Sequence, residues 1–260
     1  MRPHLVSPAA LLAAAALLVA ACGGPATGGS DAPDGGTPPS TTDSPATDTP
    51  APEPPGGGDI ILGQEIAGAL AALEAQGSWM FEVTVIAPSS GGDLSIVGTE
   101  RREPVPAVSA QHTTQGTEFR YIRIGDDIWF DVGIGEWTHV DADSARNLIS
   151  QYEPYHAAGL VGIAATAVNN EFELLGQEEV NGVMARHYRM TEHDRAAVTE
   201  RLGLTPDQWL GDVWIATDGG YLVRFQFGPE SFEVLQQTGG IGFLFNATDF
   251  GCTCPVEPPE

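Results

Sequence analysis

A cysteine at position 22 stands directly behind Leu18-Val19-Ala20-Ala21, and that order favours one reaction. A peptidase that seats only small side chains can cut before Cys22, and the cysteine sulfur can accept a diacylglyceryl group. The alternative is a plain secretory signal in which Cys22 is a bystander. Two further sulfurs, Cys252 and Cys254, form a C-x-C pair. In extended chain, side chains two apart point to one face, with Cα atoms near the upper limit for a disulfide. The pair is read as a structural disulfide or as two inert thiols, because no second ligand pair lies nearby to complete a zinc site.

Other residues that could do chemistry have simpler readings. Asp141-x-Asp143 has the opening spacing of a calcium loop, but Ala145 and Arg146 stand where a ligand and the obligatory glycine belong. A helix cap explains the pair better. His187 and His193 lie near Glu192 and Asp194, but Glu192-His193-Asp194 reads as the solvated face of a polar helix. Asn246-Ala247-Thr248 matches a glycosylation acceptor, a pattern short enough to arise by chance. There is no Gly-x-Ser-x-Gly elbow, no His-Glu-x-x-His, no phosphate-cradling glycine loop and no dinucleotide fingerprint. The expectation is a protein that is not an enzyme and that needs no cofactor and no metal.

The elements around Cys22 suit its chemistry. Val19, Ala20 and Ala21 fill the small or aliphatic positions of a segment that resembles the lipobox of exported bacterial lipoproteins, with Cys22 in the modified position. The apolar run 9–21 is far shorter than the roughly 20 residues that span a bilayer. Residues 1–21 are therefore read as a lipoprotein signal peptide. Residues 22–58 are read as the lipidated cysteine and a disordered tether, since 23–58 contain no large apolar side chain to offset the entropy of ordering. As a flexible coil the tether's ends lie on the order of 30–35 Å apart. The expected location is the outer face of the cell membrane, or the periplasm, with the N-terminal lipid as anchor; two or more acyl chains hold stably.

Of 260 residues, 35 are acidic and 11 basic, all 11 of them arginine, for a net charge of −24. A surface so acidic argues against nucleic acid as a partner and against electrostatic docking on anionic lipid. Residues 59–251 are enough for one domain with a sizeable core.

That domain opens with Leu62, Ile66, Leu70 and Leu73 on one face of a helix that Gly77 stops. Trp79, Phe81, Val83 and Val85 then alternate with polar residues, the pattern of a half-buried strand. Strand-like segments follow at 93–103, 105–113, 117–124, 127–132 and 136–140, and again at 171–178, 183–190, 212–217, 221–227, 230–237 and 241–250. Short turns, among them Asn181-Gly182 and Asp218-Gly219-Gly220, require antiparallel neighbours. Between the two runs come a short helix with Leu148 and Ile149, broken at Pro154, and an uncharged apolar helix over 157–168. Thr191 caps a polar helix that ends near Gly203, and Thr205-Pro206 opens a short turn that presents Trp209 and Leu210. A sheet of about ten strands curls, and closing it would leave no room for apolar helices. The expected fold is α+β: a curved, open antiparallel β-sheet, a half-barrel, with helices on its concave face. Residues 252–260 are set apart as a tail.

This order of elements resembles the LolA-like carriers, in particular the lipoprotein family typified by LppX and LprG. The resemblance runs from about Ile60 to Gly251. It is carried by the first helix leading into Gly77-Ser78-Trp79-Met80-Phe81, by the run 119–130 that opens Phe119-Arg120-Tyr121, by Glu136-Trp137, by 180–188, and by 212–224. The C-x-C pair and the long acidic tether stand outside the family pattern. The resemblance implies an apolar cavity under helical lids that binds the acyl chains of a lipid or lipoprotein. Its wall is expected to draw on Leu62, Ile66, Leu70, Leu73, Trp79, Phe81, Val83, Val85, Ile122, Ile124, Leu148, Ile149, Leu160, Val161 and Ile163. Pro154, Gly159 and Gly162 are places where a lid could move. The expected partners are a lipid or acylated ligand, the membrane itself and an envelope protein. The alternatives are a sensing or protein-binding module of the same fold, without lipid transport, and an anchored scaffold with a solid core.

Overall fold

The computed structural model describes residues 60–87, 92–114, 116–140, 170–203, 205–229 and 242–260. Cys22, the tether, both helices expected between 141 and 168 (with Leu148, Ile149, Leu160, Val161 and Ile163), and the strand expected at 230–237 lie outside the described residues.

Period-two alternation dominates the chain, and the described part is mostly strand. The strands are β1 (Ile60–Leu62), β2 (Ser78–Ala87), β3 (Gly92–Arg101), β4 (Ala107–Thr114), β5 (Thr117–Ile124), β6 (Asp127–Asp131) and β7 (Thr138–Val140). After the gap come β8 (Glu171–Val180), β9 (Val183–Met190), β10 (Trp209–Ala216), β11 (Leu222–Pro229) and β12 (Gly242–Thr248). All twelve form one sheet, ordered β1-β8-β9-β10-β11-β12-β2-β3-β4-β5-β6-β7, and every pair is antiparallel. The sheet is open, with β1 at one edge and β7 at the other. It consists of two up-and-down runs, β2–β7 and β8–β12, joined where β12 pairs with β2. The Asn181-Gly182 turn has φ of +54° and +76°, the left-handed pair that such a tight hairpin requires.

Two α-helices lie among the described residues. The first, α1 (Gly63–Glu74), buries Ile66, Ala69, Leu70 and Leu73, the three-and-four spacing of a single stripe. The Leu62 N–H donates to Glu65 Oε2 at 2.7 Å and so satisfies one amide at its N-terminus. The expected helix start differs in one respect. Residues 60–62 stay extended and pair with β8, burying Ile61 while Ile60 and Leu62 face out. The second, α2 (Glu192–Leu202), is capped by Thr191, whose Oγ1 accepts from the Asp194 N–H at 3.4 Å. It ends at Gly203 with φ +70°, a left-handed C-terminal residue. Trp209 and Leu210, expected in a turn, begin β10 after a short 3-10 turn at Pro206–Gln208.

The two faces of the sheet are covered differently. On one, α1 packs over a single large apolar cluster that runs across the sheet. On the other lie two small clusters. One centres on Trp214, Ala185 and Val223; the other is Ala107 and Ile122 beneath Val256. Val256 belongs to the C-terminal segment set apart as a tail, and that segment packs on this face. Gly251 N–H donates to Ser78 O at 2.8 Å, Ser78 Oγ donates to Cys252 O at 2.6 Å, and Cys252 and Cys254 are joined in a disulfide. Since Val256 is 3% exposed, Val256→Ala should cost about 1.5 kcal/mol. Urea denaturation checks this; an unchanged midpoint would show that the strap contributes nothing.

Candidate functional site

The covered face begins with the strand after α1. Trp79, Phe81 and Val83 point to one side of β2 and are 0–2% exposed. They share one buried cluster with Ile66, Leu70 and Leu73 from α1. The cluster extends through Leu94 and Ile96 of β3, Val108 and Ala110 of β4 and Tyr121 of β5. In the other direction it runs through Phe245, Phe225, Val213 and Tyr188 to Phe172. Glycine shapes this face at one point. Phe81 sits opposite Gly98, and a Cβ added at Gly98 would lie 2.6 Å from the ring's Cζ and 2.5 Å from Ser109 O.

Polar groups gather where α1 ends. Glu100 faces Trp79 across the β2–β3 pairing. Arg102 Nη2 lies 2.8 Å from Glu100 Oε1 and 2.5 Å from Glu74 Oε1, and its guanidinium carbon sits 5.6 Å from the Trp79 ring centroid. Burial pushes the Glu100 carboxyl up to about 7. The charge of Arg102 opposes that rise, Glu74 adds to it and Arg123 opposes it. Among the described residues, neither Glu100 Oε2 nor Trp79 Nε1 has a hydrogen-bond partner. His112, also buried, stacks on Phe119 with ring centroids 4.2 Å apart.

Seven of the expected cavity residues are brought together: Ile66, Leu70, Leu73, Trp79, Phe81 and Val83 in the cluster, with Val85 packed against it. Three are not. Leu62 is 41% exposed, because in β1 it alternates with the inward Ile61. Ile122 and Ile124 belong to the opposite face with Val256; Tyr121 takes the covered side of β5 instead. Both faces of β5 carry apolar side chains and an arginine, so alternation alone does not say which face is inner. Glu100 and His112 were not anticipated. Leu94, Ile96 and Gly98 lead to Glu100 by steps of two, which is the signal that could have found it.

His187 is on β9, within the strand expected at 183–190, and faces away from α1. Its Nε2 lies 2.7 Å from Asp212 Oδ1 and its Nδ1 3.1 Å from Glu178 Oε1. Trp214 Nε1 donates to Glu178 at 2.7 Å, and Arg189 Nε donates to Asp212 at 2.9 Å. This network ties β8, β9 and β10 together by their side chains. Asn246, of the glycosylation-like triplet, accepts from Arg224 Nε at 2.6 Å. Among the described residues no group of three or more His, Cys, Asp or Glu side chains is placed to hold a metal ion.

No protein-family model matches the chain, and no curated protein matches it. Solved structures do. Lipoprotein LppX of Mycobacterium tuberculosis is 21% identical with a TM-score of 0.45, over 75% of this chain and 97% of LppX. LprF from Mycobacterium bovis is 14% identical with a TM-score of 0.44, over 76% and 96%. MucB of Pseudomonas aeruginosa, solved with MucA, is 13% identical with a TM-score of 0.35, over 71% and 56%. These are likenesses of fold. No helix among the described residues is long and apolar enough to cross a membrane.

Proposed function

We propose that the domain binds the acyl chains of a lipid or lipoprotein between the covered face of its sheet and the helical segments over it. In this reading an acylated Cys22 on the 23–58 tether holds the domain at the outer face of a membrane, and the activity is carriage of envelope lipid rather than catalysis. One observation carries the proposal: a single apolar cluster runs across one face of a sheet that is open at both edges. A closed barrel would seal such a face against water, whereas an open one leaves it reachable from its edges. Transfer of an acyl chain from water is worth about 0.8 kcal/mol per CH₂. Relative to a bilayer the gain is near zero, so a carrier needs a dry passage more than a strong grip. Glu100, Arg102 and Glu74 give the face one polar end, suited to keeping a head group outside the apolar part.

The test is to purify the chain from its cells, extract it with organic solvent and analyse the extract by mass spectrometry. A fluorescent acyl probe is titrated in parallel. Stoichiometric acyl lipid and saturable probe uptake are expected. Lipid-free protein with no uptake would overturn the proposal, and a stoichiometric protein partner in place of lipid would turn the reading to an envelope protein-binding module.

A further inference from the structure

We infer that the β6–β7 loop, residues 132–137, is a membrane-contact element that dips into the interface of an uncharged bilayer. This rests on the membrane residence proposed above but not on the acyl-chain cavity. Val132 and Ile134 are 68% and 69% exposed, the most exposed large apolar side chains among the described residues. Single exposed aliphatics are ordinary; what sets this pair apart is the backbone beneath it. Asp131 is 1% exposed, and its Oδ1 accepts from the N–H groups of Gly133, Ile134 and Gly135 at 2.9, 3.0 and 3.0 Å. Its other oxygen accepts from Arg120 Nε at 3.0 Å and from Arg120 Nη2. Unpaired amides are what keep most loops out of an apolar medium. Here three consecutive amides are already paired inside the protein.

The surroundings favour a bilayer interface over water. Gly133 and Gly135 hold φ of +84° and +80°, and a Cβ at Gly133 would lie 2.6 Å from Glu118 O, so the tip is shaped as well as paired. Behind it, the Arg120 guanidinium lies 4.9 Å from the Trp137 ring centroid. A tryptophan stacked with an arginine behind an apolar tip, the arginine's charge matched by Asp131, is the residue pairing of the membrane–water boundary. Charge selects the kind of membrane. Glu118 and Glu136 are exposed beside the tip and the chain carries a net −24. Anionic head groups are therefore repelled, and zwitterionic ones are the fit.

The experiment uses the chain from residue 22 onward with Cys22→Ser, so that no acyl group contributes, and floats it with phosphatidylcholine vesicles. Wild type should co-float, Val132→Ser/Ile134→Ser should bind about tenfold less, and anionic phosphatidylglycerol should weaken wild-type binding. A dye on Ile134→Cys should shift to an apolar spectrum on vesicles, while the same dye on Met184→Cys should not. The double variant alters exposed positions only, so its melting temperature and its acyl-probe uptake should match wild type. Equal binding of both chains, no binding of wild type, or a preference for anionic vesicles would each overturn the inference. Probe uptake is read separately; its loss in both chains, with vesicle binding intact, would remove the cavity reading and leave this one standing.

Discussion

Replacing Gly98 by alanine is expected to lower the unfolding free energy by about 3 kcal/mol, at the upper end of overpacking costs. The added methyl carbon would sit 2.5 Å from Ser109 O and 2.6 Å from Phe81 Cζ. Both contacts are well inside van der Waals separation. The Phe81 ring could swing, but Ser109 O belongs to β4, which is paired with β3 along its whole length. Relief therefore requires a backbone shift within the ladder. Phe81→Leu should rescue part of the loss, since it removes the ring contact and leaves the carbonyl contact. Urea titrations of the two single variants and the double variant measure both effects. A Gly98→Ala protein within about 0.5 kcal/mol of wild type, the usual range for a harmless surface change, would mean that the ring does not lie over that glycine.

Glu100→Gln is expected to change stability little at pH 5 and to raise it by up to about 3 kcal/mol at pH 8. Burial lifts the folded carboxyl from its ordinary value of 4.5 to about 7. Between those values the folded chain holds a proton that the unfolded chain has released. Stability from this group is then fully present below about pH 4.5 and is lost as pH rises through about 7. A glutamine keeps the shape and can still accept from Arg102, yet carries no charge to desolvate. The measured quantity is the difference between variant and wild type across pH, so carboxylates common to both chains cancel. Asp131 in particular is held low by its hydrogen bond to Arg120; its contribution is lost on acidification, in a window below the one Glu100 controls. A flat difference between pH 5 and pH 8 would sink the assignment of Glu100 as a buried, proton-holding group.

Much of the architecture was legible because β-strands advertise themselves by alternation. Trp79, Phe81 and Val83 could be placed on one face from spacing alone, as could the Asn181-Gly182 hairpin and the Thr191 and Gly203 helix ends. What spacing could not supply was register across the sheet. The β5 residues Ile122 and Ile124 look as apolar as Tyr121, and only the pairing with β4 and β6 decides that Tyr121 goes inward. Three residues at 60–62 are too few for a period to show, and β1 exists because β8 offers an edge to pair with. The same holds for the tail: Val256 is one valine among prolines and glutamates, and nothing local says that Ala107 and Ile122 leave a place for it. Glu100 was hidden for another reason. A charged residue in a strand is normally assigned outward, and here Glu74, at the end of α1, is brought to the Arg102–Glu100 pair only by folding.

The seam between β12 and β2 has a consequence for how the molecule comes into being. These strands are joined over residues 80–86 and 242–248, so the first long hairpin must wait for residues 242–248 before its flank is closed. Until then β2 presents an unsatisfied row of amides and carbonyls, an invitation to strangers. Pairings so distant along the chain also assemble slowly. Loss of β12 would remove the hydrogen-bonded pairing between the two runs and leave α1 and the buried cluster as what still joins them.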